Sequence, residues 1–378
     1  MEKLGLYIHI PFCEKKCYYC DFTSITGDSE IIKRYIESLL KEIKSYKKYS
    51  DLYEIDTIFI GGGTPSAIDG DFISEILKTI KDIFKLDNDC EISIEVNPGT
   101  INPDKALIYK KAGINRISLG IQSMNDKELS LLGRIHKSKE VVDSIKMIKQ
   151  AGINNINGDL MFGLPYQNTE SFVDNLKELI KLDLTHISMY GLIIEEGTLM
   201  NYWYRKGLIN LPDEDEERRM YHLGRRILSE NCFNQYEISN FSIDGYECRH
   251  NIGYWKLKPY LGFGLSAHSN IDKKRYWNHK SFKEYFKALD ENKLPIAGYE
   301  DIDRNLEIGE YMILGLRMTS GVNKTEFINK FNVDIYSLFS KQIQKNINKG
   351  LLVDNIESIC LTEKGLDLSN QVEIDFLL

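Results

Sequence analysis

Short apolar stretches alternate with amphipathic ones from the start of the chain to about residue 190, and this alternation constrains the fold most. The apolar stretches have the length of buried strands and lie near 4–10, 55–60, 91–96, 116–121, 156–161 and 186–190. The amphipathic stretches have helical length and lie near 30–48, 71–85, 103–112, 138–151 and 169–182. Strands and helices that alternate in this way form parallel β/α units. Six strands are too few for a closed eight-stranded barrel, so the pattern predicts an α/β fold, an open partial (β/α)6 barrel.

A partial internal repeat supports these units. Ala112-Gly-Ile-Asn115 reappears as Ala151-Gly-Ile-Asn154. The glycine of each copy stands where a helix should end before a strand, which is a common place for a left-handed glycine. Two unrelated helix ends would also explain the match, but the four shared residues favour one repeated unit.

The alternation stops at about residue 211. A charged helix is predicted at 213–229, and residues 231–300 are mixed and rich in aromatic side chains. Helices are then predicted at 305–318, 323–331 and 335–349, followed by two short apolar stretches. Helices followed by a short hairpin predict a smaller, mostly helical, winged-helix-like domain. We therefore expect a barrel over 1–230, a connecting region over 231–300 and a C-terminal domain over 301–378.

The composition is that of an acidic globular protein. Hydrophobic residues make up 42% and charged residues 28% of the chain, and the net charge is −8. Phosphate binding needs clustered Lys and Arg, so nucleic acid is not an expected partner, and a DNA-binding regulator is the weakest function class. Because we find neither a secretory signal nor an apolar run of membrane-spanning length, we expect a cytoplasmic protein, membrane-associated only through partners.

Three cysteines are crowded into the loop that follows the first predicted strand. Cys13, Cys17 and Cys20 form a C-x3-C-x2-C cluster, and the odd total of seven cysteines argues against a disulfide framework. One short loop can direct three thiolates to a common centre, as an iron–sulfur cluster requires. Structural zinc normally takes four ligands, and the loop offers no fourth Cys or His. The spacing therefore favours a cluster over zinc, and leaves zinc as the other explanation.

Glycine or polar motifs follow every predicted strand. They are the cysteine loop and residues 61–65, 94–98, 120–123, 159–165 and 190–192. Barrel enzymes place their chemistry at the C-terminal ends of their strands. Each motif alone is weak, because a glycine-rich turn is usually only a tight turn. Together they predict a ligand site at that end of the barrel.

These motifs closely resemble those of the radical S-adenosylmethionine (SAM) enzymes. C-x3-C-x-aromatic-C is the signature of that superfamily, and the preceding Tyr7-Ile-His-Ile-Pro-Phe-Cys13 is similar to its coproporphyrinogen oxidase branch. The resemblance implies a [4Fe–4S] cluster on Cys13, Cys17 and Cys20, SAM bound at the free iron, an electron donor as partner and a partial barrel. The positions that match the SAM-binding set are Tyr7, Tyr19, Gly62, Gly63, Thr64, Glu95, Gln122, Arg134 and Asp159.

A second motif, His250-Asn-Ile-Gly-Tyr-Trp255, lies outside the predicted barrel. His250 offers an axial ligand to haem iron, and Tyr254 and Trp255 offer flat aromatic surface beside it. Taken alone, the motif is better explained by a buried histidine that packs on a tryptophan. However, H-N-x-x-Y-W resembles the motif by which HemW-type haem chaperones differ from the oxidases. The cluster loop agrees, because it has Phe22 where the oxidases have a further cysteine.

The resemblance thus implies a haem chaperone of the HemW type, which binds a [4Fe–4S] cluster, SAM and haem and delivers haem to apo-haem acceptor proteins. The alternative is an oxygen-independent coproporphyrinogen III oxidase, which removes carboxylates from two propionates by radical hydrogen abstraction. We expect no such oxidase activity and assign no catalytic residue. The sequence leaves open the acceptor, the role of SAM cleavage, a homodimer and a second ligand to the haem iron.

Overall fold

The computed structural model describes residues 1–377, and its first half contains six parallel strands. The strands are β1 (Glu2–Ile10), β2 (Tyr53–Gly62), β3 (Leu86–Val96), β4 (Arg116–Gln122), β5 (Asn155–Phe162) and β6 (His186–Gly191). The helices between them are α1 (Ser29–Ser45), α2 (Gly70–Ile83), α3 (Pro103–Ala112), α4 (Asp126–Leu131), α5 (Ser138–Gln150) and α6 (Thr169–Ile180). All six predicted strands are confirmed; α4 was not predicted.

Local sequence explains where these elements lie and where they end. Parallel strands that are covered by helices are buried on both faces, and β4 is buried at every position except its last. The carboxylate of Asp28 and the amide of Asn102 accept backbone N–H groups at the starts of α1 and α3. Gly113 and Gly152 follow α3 and α5 with φ of +99° and +83°. The repeated Ala-Gly-Ile-Asn therefore marks the same turn from helix to strand twice.

Residues 199–301 add short elements to both edges of the parallel sheet. They are α7 (Leu199–Arg205), α8 (Glu214–Glu230), β7 (Asn234–Gln235), β8 (Asn240–Ser242), α9 (Arg249–Trp255), β9 (Tyr260–Phe263), β10 (His268–Ile271), β11 (Lys274–Asn278), α10 (Phe282–Asp290) and β12 (Ile296–Asp301). The order in the sheet is β12-β11-β10-β9-β1-β2-β3-β4-β5-β6-β8-β7. Within residues 1–377, β1 and β6 do not pair with each other, so the barrel is open, as predicted.

The C-terminal residues form a smaller, mostly helical unit. Its elements are α11 (Arg304–Leu316), β13 (Val322–Asn323), α12 (Lys324–Phe331), α13 (Ile335–Asn348), β14 (Leu352–Asp354), β15 (Ser358–Leu361), α14 (Glu363–Asp367) and α15 (Ser369–Glu373). The predicted hairpin is β14–β15, which β13 extends into an antiparallel sheet. None of the described helices combines the length and apolar character needed to cross a membrane.

The two units have separate apolar cores. Met312, Phe327 and Phe339 belong to the C-terminal core. The larger core unites the parallel strands with side chains from the connecting region, such as Phe263 and Tyr285. The connecting region thus packs with the barrel, while the division at residues 230 and 300 stays a prediction.

Candidate functional site

The cysteine loop follows β1 and is held by contacts with neighbouring strand ends. The backbone N–H of Thr64 donates to the carbonyl oxygen of Phe12 at 2.8 Å. The Thr64 hydroxyl donates to the thiol sulfur of Cys13 at 3.5 Å. The guanidinium of Arg134 donates to the sulfur of Cys17 at 3.4 Å. Hydrogen bonds to cluster sulfurs are one way in which a protein tunes an iron–sulfur centre, so these donors suit such a ligand.

One cavity of about 150 Å³ brings the predicted cluster and SAM residues together. Cys13, Cys17 and Cys20 all line it. The predicted SAM-binding residues that line it are Tyr19, Gly62, Gly63, Thr64, Glu95, Gln122, Arg134 and Asp159. Tyr7 lies outside this cavity and borders the cleft next to it. Strand ends that are distant in sequence thus meet at one end of the barrel.

The three thiols line one cavity, and this placement suits a polynuclear centre. Within residues 1–377, no three His, Cys, Asp or Glu side chains converge as the ligands of a single metal ion do. A [4Fe–4S] cluster makes a different demand, because each thiolate binds a different iron and the cluster fills the space between them. Three thiols on one cavity wall fit that demand.

Glycines at the end of β2 let the chain approach the cysteine loop closely. A Cβ atom at Gly63 would lie 2.7 Å from the carbonyl oxygen of Phe12 and 3.0 Å from the sulfur of Cys13. Gly62 has a φ of +120°, which glycine adopts without strain, and its N–H donates to the Glu95 carboxylate at 3.1 Å. Any side chain at Gly63 would therefore push the loop and the strand apart.

Two buried carboxyl groups lie in the same cavity. Burial, with a smaller contribution from the nearby Asp159, raises the pKa of Glu95 to about 8. Burial also raises the pKa of Asp159 to about 6, although a hydrogen bond from Asn157 opposes this rise. The Arg134 guanidinium, which donates to the Asn97 side-chain oxygen at 2.6 Å, stands beside them. Carboxyls and a guanidinium together suit a ligand that carries both an ammonium and a carboxylate, as SAM does.

A larger cleft of about 530 Å³ opens beside this cavity. Phe22, Gly62 and Glu95 line both spaces, so the two share a wall. The remaining residues of the cleft are Tyr7, His9, Asp21, Thr23, Tyr254, Tyr260, Ser266, Ala267, His268 and Lys280. Its volume falls within the range of roughly 300–1,000 Å³ that is usual for pockets that hold organic ligands.

His250 lies in the short helix α9 and faces the interior of the barrel. It is 3% exposed, and its ring stacks on Phe59. Its Nδ1 lies 2.8 Å from the hydroxyl of Thr57, and its Nε2 lies 2.9 Å from the hydroxyl of Tyr254. Burial lowers the pKa of His250 to about 3, and Arg116 contributes to the shift. Both ring nitrogens are thus engaged within the protein, and coordination of haem iron by His250 stays a prediction.

The other two residues of the motif point in different directions. Tyr254 borders the cleft, where its ring meets Tyr260 edge-on at 4.7 Å between centroids. Trp255 instead lies beneath the guanidinium of Arg317, 4.5 Å from its ring centroid, and does not line the cleft. The motif therefore links the cleft to the C-terminal unit.

Sequence reasoning did not predict the cleft itself. Its walls come from β1, from the end of the cysteine loop and from the turn between β9 and β10, which share no motif. The sequence feature that could have indicated the cleft was the glycine-containing stretch 260–268. A Cβ atom at Gly262 would lie 2.0 Å from the carbonyl oxygen of His268, so this glycine permits the close return of the chain.

Comparison with known proteins identifies relatives of this chain. The chain matches the sequence model of the radical SAM superfamily over residues 7–179 and that of the HemN C-terminal domain over residues 302–368. It is 37% identical to the heme chaperone HemW of Lactococcus lactis subsp. lactis (strain IL1403), over 98% of this chain and 97% of that protein. The identity is 35% with the heme chaperone HemW of Bacillus subtilis (strain 168), over 98% of each chain.

The fold is also that of a solved relative. Coproporphyrinogen III oxidase (HemN) from Escherichia coli, a radical SAM enzyme, superposes with a TM-score of 0.86 over 100% of this chain and 90% of that chain. At 23% identity, this likeness establishes the fold: a partial radical SAM barrel with a smaller, mostly helical C-terminal domain. The identity over nearly the whole length of the curated relatives establishes the family: this chain belongs to the HemW family of the radical SAM superfamily.

Proposed function

We propose that this chain is a haem chaperone that holds a [4Fe–4S] cluster, binds SAM beside it and delivers haem to apo-haem acceptor proteins. The observation that carries the proposal is the 530 Å³ cleft, which shares a wall with the cysteine-lined cavity. A cleft of this size can accommodate a flat organic cargo next to the cluster.

In this proposal Cys13, Cys17 and Cys20 hold the cluster. A bound cluster supplies an electron and an iron that is open to SAM, and an electron-donor protein is the expected partner. The side chains of the protein would bind and orient SAM. The Arg134 guanidinium would donate hydrogen bonds to the SAM carboxylate, and Glu95 would accept hydrogen bonds from its ammonium or hydroxyl groups. The other residues proposed to contact SAM are Tyr7, Tyr19, Gly62, Gly63, Thr64, Gln122 and Asp159.

The haem site in this proposal combines the cleft with the motif that contains His250, Tyr254 and Trp255. Tyr254 would contact the cargo, because it borders the cleft. His250 would hold the Tyr254 hydroxyl at its Nε2, and it could bind iron itself only if that contact were exchanged for the metal. Trp255 would support the motif from the side of Arg317.

A haem titration tests the proposal. Protein with a full cluster complement is titrated anaerobically with haemin, and the Soret band is followed. We expect saturable binding of about one haem per chain, since the cleft has room for a single organic ligand. A linear response without saturation would contradict the proposal.

An anaerobic assay with reductant, SAM and coproporphyrinogen III separates this function from the oxidase alternative. Phe22, which is 62% exposed at the shared wall, replaces the further cysteine of the oxidases. We therefore expect no decarboxylated product by porphyrin chromatography. Multiple-turnover formation of protoporphyrinogen would favour the oxidase.

A further inference from the structure

Two histidines, His9 and His268, line the cleft, and a third, His250, contacts the cleft residue Tyr254. The three differ in what their ring nitrogens contact. His9 is buried, with Nδ1 3.0 Å from the Tyr7 hydroxyl and Nε2 3.1 Å from the carbonyl oxygen of Thr23. The imidazole of His250 is also satisfied at both nitrogens and reaches the cleft only through Tyr254. Neither ring can accept a metal without breaking contacts inside the protein.

His268 is different, because its imidazole is exposed and lines the cleft directly. It stands at the start of β10, where the ring stacks on Trp277 with 5.9 Å between centroids and 29° between planes. Within residues 1–377 no hydrogen bond or ion pair engages its ring nitrogens. The contact with Trp277 thus orients the imidazole and leaves its ring nitrogens without a protein partner, so a nitrogen is available to a metal.

The walls of the cleft suit a flat, apolar macrocycle. Phe22 is 62% exposed at the boundary with the cluster cavity, and such exposure of a large apolar side chain is a feature of binding surfaces. Tyr254 and Tyr260 add aromatic surface, held in an edge-on pair. Aromatic side chains offer large, rigid contact area to a porphyrin plane.

The cleft also carries a cation for an anionic cargo. Lys280 lines it and is exposed, and it takes part in no ion pair within the described residues. The neighbouring Arg275 is already paired with Glu300 and Glu310, at 2.6 and 2.7 Å. Lys280 is therefore the cation available to a propionate carboxylate of haem.

We propose that His268 coordinates the iron of haem in this cleft, that Lys280 pairs with a propionate, and that His250 is a positioning residue, which orients Tyr254. The inference rests on the proposed function, because it concerns the same haem cargo. It names the cleft between the cluster cavity and the β9–β10 turn as the place where that cargo is carried. Haem held there would lie against Phe22 and Glu95, next to SAM.

Haem titrations of four single variants of the cluster-loaded protein test this inference. In His268→Ala we expect a shifted Soret band and affinity lower by about tenfold or more, the scale on which a metal site responds to loss of its supporting contacts. Added imidazole should restore the wild-type band, since it supplies the missing nitrogen. His250→Ala should weaken binding but keep the band position, because it alters Tyr254 and not the ligand. His222→Ala, distant on α8, is the control and should leave both unchanged.

Lys280→Ala has its own readout. It should weaken binding of haem more than binding of haem dimethyl ester, since the ester lacks propionate charge. Iron, sulfide and SAM contents equal to those of the wild type establish that each variant is folded.

Two results would overturn the inference. One is an unchanged Soret band and affinity in His268→Ala; the other is loss of the wild-type band in His250→Ala alone, which would make His250 the ligand. In both cases the wild type still binds haem, so the proposed function survives. Failure of the wild type to bind haem saturably would reject the proposed function and this inference together.

Discussion

The surroundings of Glu95 in the cavity disfavour its charged form. Glu95 is fully enclosed, faces Asp159 and Arg116, and keeps its proton to a pKa of about 8 because its charged form loses hydration. A cationic ligand group placed beside Glu95 would stabilise the charged form that burial penalises. Burial of this carboxyl therefore lowers the stability of the ligand-free protein at pH values where Glu95 ionises, but it leaves Glu95 positioned to receive a cationic group.

The first prediction concerns Glu95 and pH. Its pKa is raised from the ordinary value of 4.5 to about 8 in the folded chain, so its contribution to stability is complete below pH 4.5 and is lost as pH rises through 8. Glu95→Gln removes this titration. Without SAM, the variant should match the wild type near pH 5 and be more stable by roughly 2–5 kcal/mol near pH 9.

Denaturant unfolding at several pH values measures this difference. The same variant should bind SAM more weakly in equilibrium dialysis, because an amide cannot supply the negative charge. Parallel stability curves for the two proteins would show that Glu95 does not titrate as its burial requires.

The second prediction concerns the cysteines. Replacing Cys13, Cys17 or Cys20 with Ala should remove most of the iron and sulfide from anaerobically prepared protein, because each thiolate binds one iron of the cluster. Cys90→Ala is the matched control, since Cys90 is buried in the larger core, outside the cavity. Equal losses in the control and the loop variants would mean that the cluster is lost through general destabilisation.

At the scale of elements, the sequence predicts what local pattern determines. The strands β1 to β6, the helix ends at Gly113 and Gly152 and the meeting of the strand ends all follow from periodicity and glycine placement. The helix α9 and the β9–β12 extension were not predicted. Their place depends on distant partners: the Glu91 carboxylate accepts the N–H of Arg249, and the Glu42 carboxylate accepts the N–H of Gly264. No window of sequence contains both members of such a pair.

The same limit applies to the cleft. Most of the predicted cavity residues belong to motifs at strand ends, and the resemblance to the radical SAM enzymes added Arg134. His268 and Lys280 lie on β10 and after β11 and face the cleft only because β9 pairs with β1. That pairing joins residues 5–8 to 260–263, and no periodicity in either stretch indicates it.

The third prediction concerns the close approach of Gly63, just after β2, to the cysteine loop. Gly63→Ala places a Cβ atom 2.7 Å from the carbonyl oxygen of Phe12, so the loop must move and both cluster content and SAM affinity should fall. Gly253→Ala is the control, because its nearest neighbour is Lys258 Cδ at 3.7 Å, an ordinary contact. Iron analysis and SAM dialysis measure the effect, and wild-type values in Gly63→Ala would contradict the close approach.

At the scale of the molecule, the motif that contains His250, Tyr254 and Trp255 lies between the barrel and the C-terminal domain. Arg317, after α11, stacks on Trp255 of α9 and lies 3.8 Å from the Glu237 carboxylate, which is almost fully buried. The backbone N–H of Ile238 donates to the carbonyl oxygen of Arg317 at 3.1 Å. A change in the C-terminal domain therefore has a direct physical route to the motif.

The fourth prediction tests that contact. Arg317→Ala leaves Glu237 buried without its cation, which should lower the free energy of unfolding by about 1–3 kcal/mol. Arg205→Ala removes an exposed pair with Glu196 and should change it by less than about 0.5 kcal/mol. Denaturant unfolding compares them, and equal effects would mean that the Arg317 contact adds nothing to the docking of the two units.

Transfer of haem to an acceptor tests the central claim most directly. Haem-loaded protein with its cluster is mixed anaerobically with an apo-haem protein, and the absorption spectrum and activity of the acceptor are followed, with free haemin at equal concentration as reference. We predict that the acceptor gains haem from this protein, and that His268→Ala, loaded to the same extent, transfers haem at a different rate. An acceptor that stays in its apo form, or that gains haem only as fast as haem dissociates into solution, would contradict it.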